Sequence, residues 1–208
     1  MPNRRRGDEN IMFDGMATGY HLSDFWEWSS SDLLNNTLRG AFCEFIVAAA
    51  LDLDLSSSRT DWTPWDLTAP HQWRDGDILK DEVHIEVKSS SYLQAWEQSK
   101  LSNIVFSIRP TLAWDAISGY GNEVQRQSDV YIFCLYAVTD RAQADPLILD
   151  GWQFYVIPTR TLDSICGGQK TISLRSLERL GPILTDYAGI RNAIFQCLEI
   201  VPPPQHIA

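Results

Sequence analysis

Four residues carry charge into apolar stretches of this sequence: Glu44, Asp66, Glu86 and Lys88. Glu44 is the only charge between Ala41 and Leu51, and Asp66 stands between Trp65 and Leu67. Glu86 and Lys88 alternate with Val83, Ile85 and Val87. A carboxylate in apolar surroundings must be paired, protonated, bound to metal or aimed into a cavity, because an uncompensated buried charge is too costly. In a strand, alternate side chains share a face, so His84, Glu86 and Lys88 stand together opposite Val83, Ile85 and Val87. Two carboxylates can hold Mg²⁺, which prefers oxygen ligands and keeps several waters. The metal makes a bound water more acidic and neutralises charge on a phosphoryl oxygen. A lysine beside it can orient that water, help deprotonate it or stabilise charge building at phosphorus. With Val87 turned into the core, its carbonyl is a further ligand candidate. The chemistry these types could do together is phosphodiester hydrolysis. Plainer readings exist for each residue. Glu86 and Lys88 suit an ordinary wet strand face, Glu44 a buried salt bridge to Arg39 or Lys88, and Asp66 an Asx turn after Pro64. Glu44 and Asp66 favour the chemical reading, since a plain wet face needs no such partners.

The elements that must position these residues follow from the hydrophobic pattern. SSSDLLNNTLRGAFCEFIVAAALDL predicts one long helix over about 31–52, capped by Ser30 or Ser31, with Asp32 in its first turn. Its second half is apolar nearly all round, which marks a buried helix. RTDWTPWDLTAP, 59–70, predicts a strand with a Pro-marked irregularity, and Asp75-Gly76 a turn. Asp77 beside that turn is the alternative to Asp66 as the strand aspartate. Val83 to Lys88 is the next strand, 92–100 a short helix or turn, and 103–108 a short strand. The polar stretch 109–127 predicts a loop with a helical turn. VYIFCLYAV, 130–138, is a buried strand, and WQFYVIP, 152–158, another. A capped helical turn and two C-terminal helices follow, the last over about 186–200. Helices flanking a mixed central sheet fit this α/β order best. The expected organisation is a flexible arm over 1–24, one domain over 25–202, and a tail over 203–208.

The composition is globular, with 44% hydrophobic and 21% charged residues. A net charge of -10 argues against a nucleic-acid partner taken alone, since DNA binding leans on Lys and Arg. A local basic groove, or divalent metal on clustered carboxylates, would reconcile the two. Arg4, Arg5 and Arg6 lie in the expected arm, where a solvated tail is the ordinary reading. Cys43, Cys134, Cys166 and Cys197 include no CxxC pair and fit buried free thiols in a reducing compartment. No apolar run reaches the ~20 residues of a membrane span, and no h-region follows the basic start, so a cytoplasmic location without membrane contact is expected. The histidines form no HxxxH, and neither GxSxG nor GxxxxGK occurs.

Pro64-Trp65-Asp66 followed by Ile85-Glu86-Val87-Lys88 resembles the PD-(D/E)XK nuclease superfamily, with a D-x19-E-x-K spacing and an upstream helix acid at Glu44. The literal Pro-Asp pair is interrupted by Trp65. The resemblance implies a restriction-endonuclease-like fold, a mixed β-sheet flanked by α-helices. It implies Asp66, Glu86, the Val87 carbonyl and Glu44 as metal ligands, and Lys88 at the water. It also implies a catalytic Gln in the segment after the lysine, for which Gln94 is the candidate and Gln98 the alternative. The cofactor would be Mg²⁺, with Mn²⁺ able to substitute. Ser89, Ser90 and His84 become candidate substrate contacts, although the two serines fit equally well as helix caps. The chain is also similar to a group of bacterial proteins with EVKSS-x-YLQ-x-W and a later WxFYV strand. The expected activity is Mg²⁺-dependent hydrolysis of DNA by an endonuclease. Two alternatives are a non-catalytic nuclease-like module that binds nucleic acid or protein, and a nuclease subunit served by a basic partner protein. A homodimer built on 130–200 would suit double-strand cutting.

Overall fold

The computed structural model describes residues 4–59, 63–115 and 119–200. The chain opens with strands β1 (Asn10–Phe13) and β2 (Met16–His21), which pair antiparallel, and helix α1 (Leu22–Ser30). Residues expected in a loose arm therefore form a hairpin leading into a helix. Every residue of the hairpin is exposed, so hydrophobic periodicity could not signal it. Helix α2 (Asn36–Ala50) follows. The single long helix predicted over 31–52 is shorter, because Asn35 caps α2 by accepting from the Thr37 and Leu38 amides. Asp32 instead folds the preceding turn, taking the Leu34 amide at 3.0 Å.

Next come β3 (Leu67–Ala69), then β4 (Trp73–Asp75) and β5 (Ile78–Lys80), a hairpin turned at Gly76 with φ of 61°. Strand β6 (Val83–Ser91) extends three residues beyond the Lys88 expected as its end. Turns occupy 92–100, and β7 (Val105–Ser107) follows. The expected loop over 109–127 is instead an antiparallel hairpin, β8 (Thr111–Asp115) and β9 (Gly119–Gln125). Strand β10 (Val130–Tyr136) and, after two single 3₁₀ turns, β11 (Trp152–Pro158) match their apolar runs. The chain continues through α3 (Thr159–Cys166), β12 (Thr171–Ser173), α4 (Leu174–Glu178), β13 (Ile183–Thr185) and α5 (Ile190–Leu198). The predicted tail over 203–208 lies outside the described residues.

Five strands form one mixed sheet in the order β13-β11-β10-β6-β3, with only β10 and β6 parallel. All seven residues of β10 are buried, which is why its sequence is apolar without alternation. One sheet face packs on α2 and α5 through Cys43, Val47, Val87, Ile132, Phe154 and Ile194. The other packs Tyr131, Phe133 and Ile157 against Phe106 of β7, Leu162 of α3 and Leu177 of α4. This is an α/β fold, a mixed sheet flanked by helices. All four cysteines are free and buried. No helix among the described residues is long and apolar enough to cross a membrane.

Candidate active site

The site forms where β6 outruns its neighbour. Strand β3 pairs with β6 only from Leu67 opposite Ile85 to Ala69 opposite Val83. Asp66, the residue before β3, donates its amide to the Ile85 carbonyl at 3.0 Å. Its carboxylate Oδ2 then accepts the Val87 amide at 2.8 Å. One side chain thus finishes the ladder where the backbone of β3 departs. A buried amide must find an acceptor, and here a carboxylate is that acceptor.

The alternation in β6 holds. Val83, Ile85 and Val87 are buried, while His84, Glu86 and Lys88 are half-buried on the opposite face. In the parallel ladder Glu86 stands beside Tyr131 and Lys88 beside Phe133. Lys88 Nζ lies 2.5 Å from Glu86 Oε1 and 3.6 Å from Asp66 Oδ2, so one ammonium bridges the two carboxylates. Burial pushes the Glu86 carboxyl up, and the Asp66 and Glu44 charges add to that rise against the pull of Lys88. For Lys88, burial pulls downward but is outweighed by the charges of Glu86, Asp66 and Glu44, and the ammonium rises above its ordinary value. Burial, then the charge of Glu86, also pushes the Tyr131 phenol up.

Glu44 belongs to the same electrostatic cluster, since its charge acts on both Glu86 and Lys88. Its partner is neither Arg39 nor Lys88. Arg59 grips it with both fork nitrogens, Nε to Oε2 at 2.5 Å and Nη2 to Oε1 at 2.8 Å. Arg39 turns to the Leu34 carbonyl and Asn36 Oδ1. Nothing around Arg59 in the sequence pointed to this role. Glu44, Asp66 and Trp65 line a groove of about 1250 Å³ between α2 and the segment before β3.

His84 stacks flat on Trp65, with ring centroids 3.5 Å apart at 11°, and its Nε2 lies 2.8 Å from Glu82 Oε1. The His84 amide donates to Asp129, which also receives Lys80 Nζ at 2.6 Å. Ser90 shares the Glu86 and Lys88 face, whereas Ser89 lies on the opposite one. The turn-capping contact comes from neither: Ser91 Oγ accepts the Leu93 amide. Gln94 is buried in a turn rather than a helix, and its amide donates to the Ser91 carbonyl and Ser102 Oγ. Gln98 takes the Gln94 amide and donates to Ser102. Both glutamines therefore shape the loop after β6. Asp77 lies in the β4–β5 turn, as its Asp-Gly context indicated.

The donor set suits a hard cation. Asp66 and Glu86 supply oxygens from adjacent elements, the Val87 carbonyl lies between Glu86 and Lys88 in sequence, and the lysine ammonium already marks the point of converging negative charge. Among the described residues no three His, Cys, Asp or Glu side chains gather as a ready-made metal cluster. Asp66 and Glu86 are gathered on Lys88, and Glu44 is held by Arg59.

Neither a curated protein nor a solved structure matches the chain. The family model described as bacteriophage T4 endonuclease IV matches residues 17–175. That stretch runs from β2 into α4 and contains Glu44, Asp66, Glu86 and Lys88. It spans well over half of the 208 residues, and the chain belongs to the bacteriophage T4 endonuclease IV family.

Proposed function

We propose that this protein is a Mg²⁺-dependent DNA endonuclease of the PD-(D/E)XK kind, with Mn²⁺ able to substitute. Membership in an endonuclease family supports the hydrolytic activity. The observation that carries the site is the bridge from Lys88 Nζ to Glu86 and Asp66, on an alternating strand whose edge Asp66 completes. The mixed sheet with α2 on one face supports a restriction-endonuclease-like reading of the fold.

Asp66, Glu86 and the Val87 carbonyl would hold the metal, and Glu44 would join them by exchanging its Arg59 partner. When bound, Mg²⁺ makes water more acidic and offsets charge on the phosphoryl oxygens. The chain's own residues do the rest. Lys88, with its ammonium raised above the ordinary range, stays protonated at neutral pH and donates from Nζ to the attacking water or a phosphoryl oxygen. Ser90 shares that face, and in this reading it would contact the scissile phosphate. His84, braced by Trp65 and Glu82, forms the rim. Gln94 acts at one remove, fixing the end of β6 through the Ser91 carbonyl.

The test is nicking of supercoiled plasmid and of a DNA oligonucleotide in Mg²⁺ or Mn²⁺, with EDTA controls, for wild type and Lys88→Ala. Metal-dependent cutting that is lost in the variant, at least a hundredfold by the usual size of such electrostatic contributions, is the expected result. Equal cutting by Lys88→Ala defeats the mechanism. A wild type that never cuts moves the reading to a partner-dependent subunit or a non-catalytic binding module.

A further inference from the structure

The exposed arginines at the start of the chain have no place in the chemistry above, yet the first of the described ones is fixed to the body of the fold. Arg4 Nη1 donates to the Leu55 carbonyl at 2.7 Å, across 51 residues. The segment behind it is anchored twice. The Ser23 amide donates to the Gly7 carbonyl at 2.8 Å, and the Leu22 amide to the Glu9 carbonyl at 2.9 Å. Gly7 has φ of 101°, and a Cβ there would lie 2.9 Å from the Trp26 ring. Only glycine lets the chain pass α1 this closely. Arg4 and Arg5 are thereby laid along the groove that also exposes Glu44 and Asp66.

The charges along that groove differ in what they face. Arg59 is matched by Glu44, and Arg191 by Asp52 at 2.6 Å. Asp54 is turned onto the Ser56 amide and hydroxyl. Arg4 donates to a neutral carbonyl, and its charge acts on Asp54 as that of Arg5 acts on Glu9. In a protein of net charge -10, two arginines lining the groove whose Asp66 lies 3.6 Å from Lys88 offer cationic contacts to a polyanion. We propose that Arg4 and Arg5 bind backbone phosphates of the DNA and lead the strand along this groove to Asp66. This rests on the nuclease reading and adds the surface by which an acidic protein holds its substrate.

The experiment is anisotropy of a fluorescein-labelled DNA oligonucleotide in EDTA, titrated over a range of NaCl. It compares wild type with Arg4→Ala/Arg5→Ala, Arg4→Lys/Arg5→Lys and Arg5→Glu, each with its melting temperature. Two lost phosphate contacts should lower the slope of log affinity against log salt by about 1.5 and weaken binding about tenfold at low salt. The lysine pair should largely restore both, because phosphate accepts either cation. Arg5→Glu leaves the Arg4–Leu55 bond intact and must weaken binding too. Wild-type slope and affinity in the alanine pair, or unchanged binding in Arg5→Glu, overturns the proposal while leaving the nuclease reading standing. A wild type that cuts no DNA and binds none removes both.

Discussion

Asp66 completes a sheet edge and carries one of the charges of the candidate site, and two substitutions separate these roles. Asparagine keeps an oxygen that can accept the Val87 amide, whereas alanine leaves that buried donor unpaired. An unsatisfied buried amide costs about 1–3 kcal/mol. In a chain of this size that is roughly 3–10 °C of melting temperature. Asp66→Ala should therefore melt lower while Asp66→Asn stays near wild type, and both should lose cutting. A wild-type melting temperature for Asp66→Ala would refute the capping role, and full cutting by Asp66→Asn would refute the ligand role. Sequence alone reached Glu86 and Lys88 because strand alternation is local and period two leaves little freedom. It reached Glu44 and Asp66 because each acid was out of keeping with its neighbours. It did not reach Arg59 or the Trp65–His84 stack. Those contacts join residues 15 and 19 positions apart in different elements, which no periodic pattern relates.

At the scale of elements, what was legible follows burial. β10 and β11 are covered on their faces and show it in composition, so their limits could be read within two residues. The hairpin over 10–21 is exposed throughout, and Thr111, Leu112 and 121–125 of the second hairpin are exposed as well, so neither gave a pattern. The break between α1 and α2 was hidden because Asn35, rather than the more conspicuous serines, caps the second helix. The join between β9 and β10 was hidden for another reason: a buried arginine builds it. Arg126 donates to the Ile108 carbonyl at 2.9 Å, to Asp163 at 2.6 Å, and to the Gly167 and Gln169 carbonyls. It ties the base of the β8–β9 hairpin to the end of α3. Lysine has one ammonium and cannot span these acceptors, which surround a planar fork. Arg126→Lys should lower stability by about 1–3 kcal/mol, the scale of leaving buried acceptors without their donors. None of these bonds goes to Asp66, Glu86 or Lys88, so cutting per folded molecule should persist at permissive temperature. A denaturant midpoint equal to wild type would show that the fan of bonds contributes nothing.

Across the whole molecule, negative charge is in excess, and the candidate site concentrates it. The chain has 27 acidic and 17 basic residues. Within the site, Glu44, Asp66 and Glu86 face Lys88 and Arg59, and Glu86 is forced up by burial and by the other two acids. Such a site stores repulsion that a bound divalent cation would relieve. A ligand that binds only the folded state stabilises it by mass action, about 2.7 kcal/mol at a hundredfold excess over its Kd. For this chain length that corresponds to a melting temperature higher by roughly 5–10 °C. A general screening effect would also help an acidic protein, so the comparison must be made against NaCl of equal ionic strength, which relaxes long-range repulsion without occupying a site. The expected result is a saturable rise with Mg²⁺ or Mn²⁺ that NaCl does not reproduce. Glu86→Gln removes one ligand and one of the crowded charges together. In EDTA that variant sheds the repulsion among the acids but also the pairing with Lys88, so it should melt close to the wild type, and it should lose the rise with metal. A Glu86→Gln protein that still gains stability from Mg²⁺ as wild type does would place the divalent cation elsewhere on the acidic surface. The bridge between Glu86, Lys88 and Asp66 would then be an ion pair and nothing more.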